Sequence, residues 1–292
     1  MFHNEHLIDE SGKMSKSKGN VIYADDLVDY FGVDAVRYFV LHEMPFDNDG
    51  SITWELMVER MNSDLANILG NLVNRTISMT NKYFDGVVRS TGVTDEVDAD
   101  LKAVVTGAQA KVQEKMDNLR VADAISEVFT VFRRCNKYID ETMPWVLAKN
   151  ETDKPRLDNV LHNLAEAIRI ISVLIHPFMH TTSDAIRKQM GLWFSDVVWE
   201  DAFTFDMMSG EQVKKGDAIF PRLDIEKELE RRFALQKKII GQINRMPART
   251  EAQQLRKACL YNRYVLCHRW EVVADEMNVS LRYVYMIHGD AL

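Results

Sequence analysis

Apolar side chains return every three or four residues over most of this chain, and few glycines (13) or prolines (6) interrupt its 292 residues. The clearest run starts after Thr53, placed to cap a helix that reaches about Tyr83. In it Leu65, Ile68, Leu69, Leu72, Val73 and Ile77 form one stripe. A long helix with one apolar stripe must bury it against other helices. The spacing predicts such partners over Asp98 to Met116 and over the segment capped by Asn118. This last segment aligns Ala122, Ile125, Val128, Phe129 and Phe132 and ends before Pro144. Asp153 with Pro155 opens a fourth helix that Pro177 stops at His176, and Phe178 to Met190 continues as helix to Gly191. Two short helices, Ala24 to Phe31 and Asp34 to His42, come first. The fold class expected is mainly α, built around an antiparallel helical bundle.

From Leu192 to Leu223 the spacing is lost, and Trp193, Phe194, Trp199, Phe203, Phe205 and Phe220 lie scattered among Gly, Asp and Ser. This predicts an extended segment folded back over the helices. Helical spacing resumes from Ile225 to Met246, stops at Pro247, and returns in Glu251 to Val265, Glu271 to Met277 and Leu281 to Ala291.

Hydrophobic residues at 46% and charged residues at 27% exclude a disordered chain. No apolar run approaches the ~18 residues that a membrane span needs, and Ile168 to Ile175 is interrupted by Arg169 and Ser172. Met1 to His6 lacks the basic start and apolar core of a secretory signal. Cys135, Cys259 and Cys267 are too few and too far apart for a disulfide framework or a CxxC zinc knuckle, so a cytoplasmic location is expected. His176 and His180 have metal-ligand spacing, but Pro177 lies between them and no HExxH accompanies them or His162; no metal site is expected. Cys259 and Cys267 read as buried thiols, and the 15 methionines as core filler.

The segment Lys13-Met14-Ser15-Lys16-Ser17-Lys18-Gly19-Asn20 places three ammonium groups within six residues, with two hydroxyls between them and Gly12 and Gly19 at the flanks. Such a loop can wrap a polyphosphate, lysines giving point charges and serines and backbone N–H groups giving hydrogen bonds. Composition alone also fits a solvated turn. The string resembles the second signature of class I aminoacyl-tRNA synthetases, in the form common in methionyl-tRNA synthetases. Val21-Ile22, the two short helices and Asp34-Ala35-Val36-Arg37-Tyr38 are similar as well. The resemblance implies that Lys16 contacts ATP and stabilises the transition state in which methionine attacks the α-phosphate. Lys13 would hold the loop closed, and Met14, Ser15 and Ser17 would complete the ATP-binding surface. Mg2+ would accompany ATP in the complete enzyme.

On the long helix Asn71 and Arg75 are four apart and share a face. Amides and guanidinium groups suit the Watson–Crick edges of unstacked bases. Trp145 follows Pro144 at a helix end, where it could stay at the surface and stack on a splayed base. Singly, Trp145 also fits a core residue, and Asn71 with Arg75 a solvated face. Together the segments resemble the helical anticodon-binding domain of methionyl-tRNA synthetases. By that resemblance Asn71, Arg75 and Trp145 recognise the CAU anticodon of methionine tRNA, with Trp145 stacking on its cytosine. The likeness continues through Lys149, His176-Pro177-Phe178-Met179 and Gly216 to Leu229, covering roughly residues 7–229.

Two features depart from the family. A nucleotide-binding fold of about 250 residues, with its HIGH-type motif, is expected before the lysine loop, and His3-Asn4-Glu5-His6 does not match that motif. The sequence therefore reads as a C-terminal piece of an ATP-dependent ligase that also handles methionine. The tail is the second departure. Net charge is −8, yet residues 226–292 hold 12 Lys/Arg against 8 Asp/Glu. Trp270 to Val284 reads as a helix-turn-helix: Val273, Ala274 and Met277 inward, Asn278 and Val279 in the turn, Ser280 as cap, and Arg282, Tyr283 and Tyr285 near the exposed start of a recognition helix. It resembles small phage regulators related to the fourth region of sigma factors, including Arg263-Tyr264 and His288 with Ala291-Leu292. The resemblance implies duplex DNA as a further partner through Ser280, Arg282, Tyr283 and Tyr285. The division expected is a lysine-loop segment (1–50), a helical anticodon-binding domain (51–225) and a basic tail (226–292). A rival reading makes the tail a DNA-binding regulator and the rest its passive fusion partner.

Overall fold

The computed structural model describes residues 7–9, 12–13, 22, 24–43, 50–192, 197–224, 227, 237–264 and 270–289. They fall into two compact units, one drawn from Tyr23–Arg222, the other from His6–Ile22 and Leu223–Leu292. Among the described residues no helix is long and apolar enough to cross a membrane.

The first unit is helical. Helices α1 (Ala24–Phe31) and α2 (Val33–Glu43) lead into α3 (Trp54–Arg60), whose start Thr53 caps by accepting from the Leu56 N–H at 3.1 Å. The chain continues without a break through a π-helical segment, Met61–Gly70, into α4 (Asn71–Phe84). The expected stripe survives with one correction. Leu65, Leu69, Leu72, Val73 and Ile77 are buried, but Ile68 is only half-buried. Wider π turns rotate the buried face, and Met61 and Asp64 join it.

Helix α5 (Glu96–Asp117) begins two residues before the expected Asp98, because Asp95 and Asp98 form a reciprocal capping box at its start. Asn118 does not cap the next helix. Its amide donates to the Glu114 carbonyl at 2.7 Å and closes α5 instead. Leu119 then turns the chain with φ of 59° before α6 (Val121–Thr142) can begin.

After the short α7 (Pro144–Leu147), helix α8 (Lys154–Ile175) forms the axis of the bundle, buried at every residue from Leu157 to Ile175. Its charged pair is satisfied inside: Arg169 bonds Glu166 at 3.0 Å and donates to the carbonyls of Asp201 and Thr204, while Glu166 accepts from the Met208 N–H. Helix α9 (His180–Gln189) starts two residues later than expected, since the N–H groups of Phe178 and Met179 both turn back to the Ile175 carbonyl.

The stretch after α9 runs back over the bundle as expected, but it is not extended throughout: Trp199–Phe203 forms a short 3-10 helix against α8 and α5. Further along, Val88 N–H bonds the Glu211 carbonyl (2.9 Å) and Val213 N–H the Gly86 carbonyl (2.8 Å), forming a bridge between Val87 and Gln212. Gly86 has φ of +80°, and a Cβ there would meet the Val213 carbonyl oxygen at 2.7 Å. A glycine is what lets this strap lie so close.

In the second unit, strands β1 (Leu7–Asp9) and β2 (Gly12–Lys13) form an antiparallel hairpin with Ile8 opposite Lys13. Residues 237–245 are helical, followed by α10 (Glu251–Tyr264), α11 (Trp270–Glu276) and α12 (Leu281–Gly289). Cys259, Val273, Ala274 and Val284 are their core, with Leu255, Met277 and Val279 packed against it.

Candidate RNA-binding surface

One face of the long helix presents Asn67, Asn71, Asn74 and Arg75, which helical spacing places together. Asn71 and Asn74 are exposed, and the Arg75 side chain is 31% exposed. Across from it α6 ends at Met143, whose left-handed backbone (φ 44°) closes the helix and whose N–H returns to the Ile139 carbonyl at 3.0 Å. Pro144 then starts α7, its missing N–H costing nothing at a first helical position. The reversal leaves Trp145 43% exposed beside Met143 and Val146, both also exposed. The Arg75 guanidinium lies 5.9 Å from the centre of the Trp145 ring and 3.7 Å from an Asp140 carboxylate oxygen. An exposed indole with a guanidinium over its face is a platform on which an unstacked base can lie. Trp145 is thus a surface residue, as the RNA reading requires, and it meets Arg75.

The platform is held from below. Asn136 of α6 donates to the Ile68 carbonyl at 3.1 Å, tying α6 to the helix that carries Asn71. Tyr138 donates to Asp98 at 2.6 Å and accepts from Asn163 at 3.1 Å, while Arg156 grips both Asp98 oxygens at 2.7 Å. Burial first, then the bond to Asp98, pushes the Tyr138 hydroxyl pKa above its ordinary range.

On the other side of Asn71 a cavity of about 490 Å³ opens between this face and the strap, lined also by Asn67, Gly70, Asn74, Lys215, Phe220 and Arg222. Sequence reasoning missed it. The triple amide spacing was visible in the string, but nothing in it says that the strap returns to the same face.

Of the lysine loop, Lys13 lies in β2 and its backbone alone is described; Met14, Ser15, Lys16 and Ser17 lie outside the described residues. In the tail, Asn278 has a left-handed backbone (φ 52°), and the Tyr283 N–H donates to Ser280 Oγ at 3.2 Å. Arg282, Tyr283 and Tyr285 are exposed around the buried Val284. Among the described residues no group of three or more His, Cys, Asp or Glu side chains could hold a metal ion. His180 Nδ1 and His176 Nε2 do approach to 3.0 Å. Ser183 spends its proton on the Ser172 carbonyl (2.7 Å), so it accepts from His176 Nδ1 (3.3 Å), and His176 Nε2 must accept from His180. Burial, and then His180, lower the His176 pKa. Cys259 is buried as expected, while Cys267 lies outside the described residues.

Residues 1–77 match the family of class I tRNA synthetases (M), and residues 88–242 match the anticodon binding domain of methionyl tRNA ligase. A methionine–tRNA ligase of Caldanaerobacter subterraneus is 49% identical over 229 residues, covering 78% of this chain and 36% of that protein. One of Bacillus subtilis is 42% identical over 231 residues, covering 78% and 35%. The chain therefore spans little more than a third of the length of these relatives. Among solved structures, Mycobacterium tuberculosis methionyl-tRNA synthetase in complex with methionyl-adenylate superposes with a TM-score of 0.70 at 34% identity, covering 74% of this chain and 43% of that one.

Proposed function

Because the chain belongs to the methionyl-tRNA synthetase family, we propose that it serves the ATP-dependent attachment of methionine to methionine tRNA in the cytoplasm, as the part that closes over ATP and grips the anticodon. In that reaction the methionine carboxylate attacks the ATP α-phosphate, the bond to the β-phosphate breaks, and pyrophosphate leaves. A terminal ribose hydroxyl of the tRNA then displaces AMP from the methionyl carbonyl. In this reading Lys16 neutralises charge on the departing pyrophosphate, and Lys13 holds the loop over ATP, which arrives with Mg2+ as part of the substrate. Met14, Ser15 and Ser17 complete the loop's hold on ATP. Asn71, Arg75 and Trp145 take the CAU anticodon. Division at 50 and 225 separates the loop segment, the anticodon domain and the tail.

The observation that carries the reading is the exposed Trp145 ring beneath Arg75, with Asn71 one turn away on the same helix. Stacking on an aromatic ring is worth about 1–3 kcal/mol per base. Trp145→Ala should therefore weaken binding of methionine tRNA about 5- to 150-fold, with unaltered thermal unfolding. Equal binding of tRNAs with and without CAU would refute it.

A second reading concerns the tail, favoured by the Ser280 cap, the left-handed Asn278 and the exposed Arg282, Tyr283 and Tyr285. Here α11 and α12 form a helix-turn-helix that docks α12 in duplex DNA. Affinity for random duplex should then fall with salt by about 0.9 per phosphate neutralised, and Arg282→Ala should lower either that slope or the preference for a particular site. Salt-independent or undetectable DNA binding by the full chain would leave the tail as a plain helical extension.

A further inference from the structure

The cavity beside Asn71 shares that residue with the triplet site as described but neither Arg75 nor Trp145, and its lining is chemically one-sided. Its volume of about 490 Å³ lies inside the ~300–1,000 Å³ range of small-ligand sites. No carboxylate lines it, while Lys215 and Arg222 both do. Among the described residues the Lys215 ammonium has no ion pair, leaving it as a free point charge at the rim. Arg222 is held in place, donating from Nε to Asn67 Oδ1 at 2.7 Å and from a terminal nitrogen to the same oxygen. Asn71 and Asn74 add exposed amides, each able to donate and to accept. Phe220, half-buried, is the aromatic residue of the lining.

The wall is built before any ligand arrives. Gln189 fixes the strap by three bonds: its carbonyl accepts from Lys214 N–H (2.8 Å), its amide donates to the Asp217 carbonyl (2.9 Å), and its Oε1 accepts from Gly216 N–H (3.3 Å). Gly70 also lines the pocket, and a Cβ there would press on the Leu65 carbonyl at 3.2 Å while only touching the Phe220 carbonyl at 3.7 Å. A cationic rim, amides that tolerate any base edge and an aromatic wall are the parts of a single-stranded nucleotide site. Asn71 lines the pocket one helical turn from Arg75, whose guanidinium lies 5.9 Å from the centre of the Trp145 ring.

We infer that this pocket is a second nucleotide subsite, taking one unpaired nucleotide that flanks the anticodon triplet, with its base against Phe220 and its phosphate on Lys215. The inference rests on the anticodon reading proposed above. It adds a contact that grips the loop without reading the triplet.

The test uses the full chain and anticodon stem-loop RNAs of methionine tRNA carrying an abasic site at each loop position outside the triplet in turn. One position should cost the wild-type chain about 5- to 150-fold in affinity, and the same abasic site should cost Phe220→Ala nothing further. Lys215→Met, at an exposed position, should reduce the slope of log affinity against log salt by about 0.7. If Phe220→Ala fails to fold, the Lys215→Met slope decides alone. Phe220→Ala and wild type keeping one ratio across every abasic position, with an unchanged Lys215→Met slope, would overturn the subsite. The two readings fail separately. Loss of CAU preference in Trp145→Ala without any coupling at Phe220 removes the pocket only. An intact CAU preference in Trp145→Ala, with a position coupled to Phe220, removes the triplet site and leaves the pocket as an RNA contact.

Discussion

Asp98 gathers four hydrogen bonds at the end of the bundle where α5 begins. It accepts from Tyr138 at 2.6 Å, from Arg156 twice at 2.7 Å, and from the Asp95 N–H at 3.0 Å. Its side chain is 7% exposed and that of Arg156 is 16% exposed. Asp98→Ala leaves the guanidinium without its countercharge, though still bonded to the Val93 carbonyl, and leaves the buried Tyr138 proton without its acceptor. Breaking a buried ion pair costs about 3–5 kcal/mol, and the small access of water to Arg156 argues for the lower half of that range. An orphaned hydroxyl adds about 1–3 kcal/mol, and half a capping box about 0.5–2 kcal/mol. These share partners and do not add fully, so about 4–5 kcal/mol is expected. At a urea m-value of about 2 kcal/mol/M the unfolding midpoint should fall by about 2 M, read by far-ultraviolet circular dichroism. Asp98→Ala with Arg156→Met should recover part of the loss, because no charge is then left without a partner. A midpoint shift below about 0.5 M (about 1 kcal/mol at that m-value), or a double variant weaker than the single one, would refute the reasoning.

Tyr38 and Tyr138 both have hydroxyl pKa values raised above 10.0, by burial first and then by Asp64 and Asp98 respectively. The folded state holds these protons more tightly, so stability is intact below pH 10 and falls as pH rises beyond it; urea midpoints at two alkaline pH values measure this, and Tyr138→Phe should flatten the slope. Burial pushes the Cys135 thiol up to about 12. A thiolate-seeking reagent at the ordinary thiol pKa of about 9 should label it only after denaturation, as peptide mass spectrometry can show. His176 has its pKa lowered below 6.5 by burial and then by His180. Its folded state prefers the neutral ring, so the stability it contributes at neutral pH is lost as pH falls below 6.5, and His176→Gln should flatten the acid limb of a thermal melting series. Gly86→Ala places a Cβ 2.7 Å from the Val213 carbonyl at a φ of +80°; a loss of at least about 1–2 kcal/mol is expected in urea unfolding.

The bundle was legible because its helices are long and their stripes repeat over four or more turns, so tertiary packing and local period agree. The failures were local. Asn118 is a good capping residue in isolation, but whether its amide faces the helix before or after it depends on the backbone at Leu119. Ile68 fitted a 3.6-residue stripe, and the π turns that rotate it outward leave no mark in apolar spacing. Trp145 was ambiguous for a different reason. Proline fixes where α7 begins, but the side on which the indole emerges is set by the left-handed Met143, a conformation that composition does not announce. The pocket was the least readable feature. Its two walls, Asn67 to Asn74 and Lys215 to Arg222, are more than a hundred residues apart, and the bond from Arg222 to Asn67 that joins them forms only once Gln189 has fixed the strap's path.

The energetics of Arg75 show why the platform is suited to exchange partners. Its ion pair to Asp140 spans 3.7 Å, and the Asp140 side chain is 70% exposed. A pair so open to solvent is worth about 0–1 kcal/mol, and a cation over an exposed ring about 0.5–1 kcal/mol. These contacts orient the guanidinium without trapping it. A base sliding between Arg75 and Trp145, or a phosphate drawing Arg75 from Asp140, would displace little. The support beneath is the reverse: Tyr138, Asp98 and Asn163 are buried, Arg156 is nearly so, and they are linked in one chain of hydrogen bonds. A rigid base under weakly held contact groups keeps the positions of Arg75 and Trp145 fixed while leaving their bonding free. Under the anticodon reading proposed above, the energy of stacking on Trp145 would then go to affinity for RNA and not to reordering of the bundle.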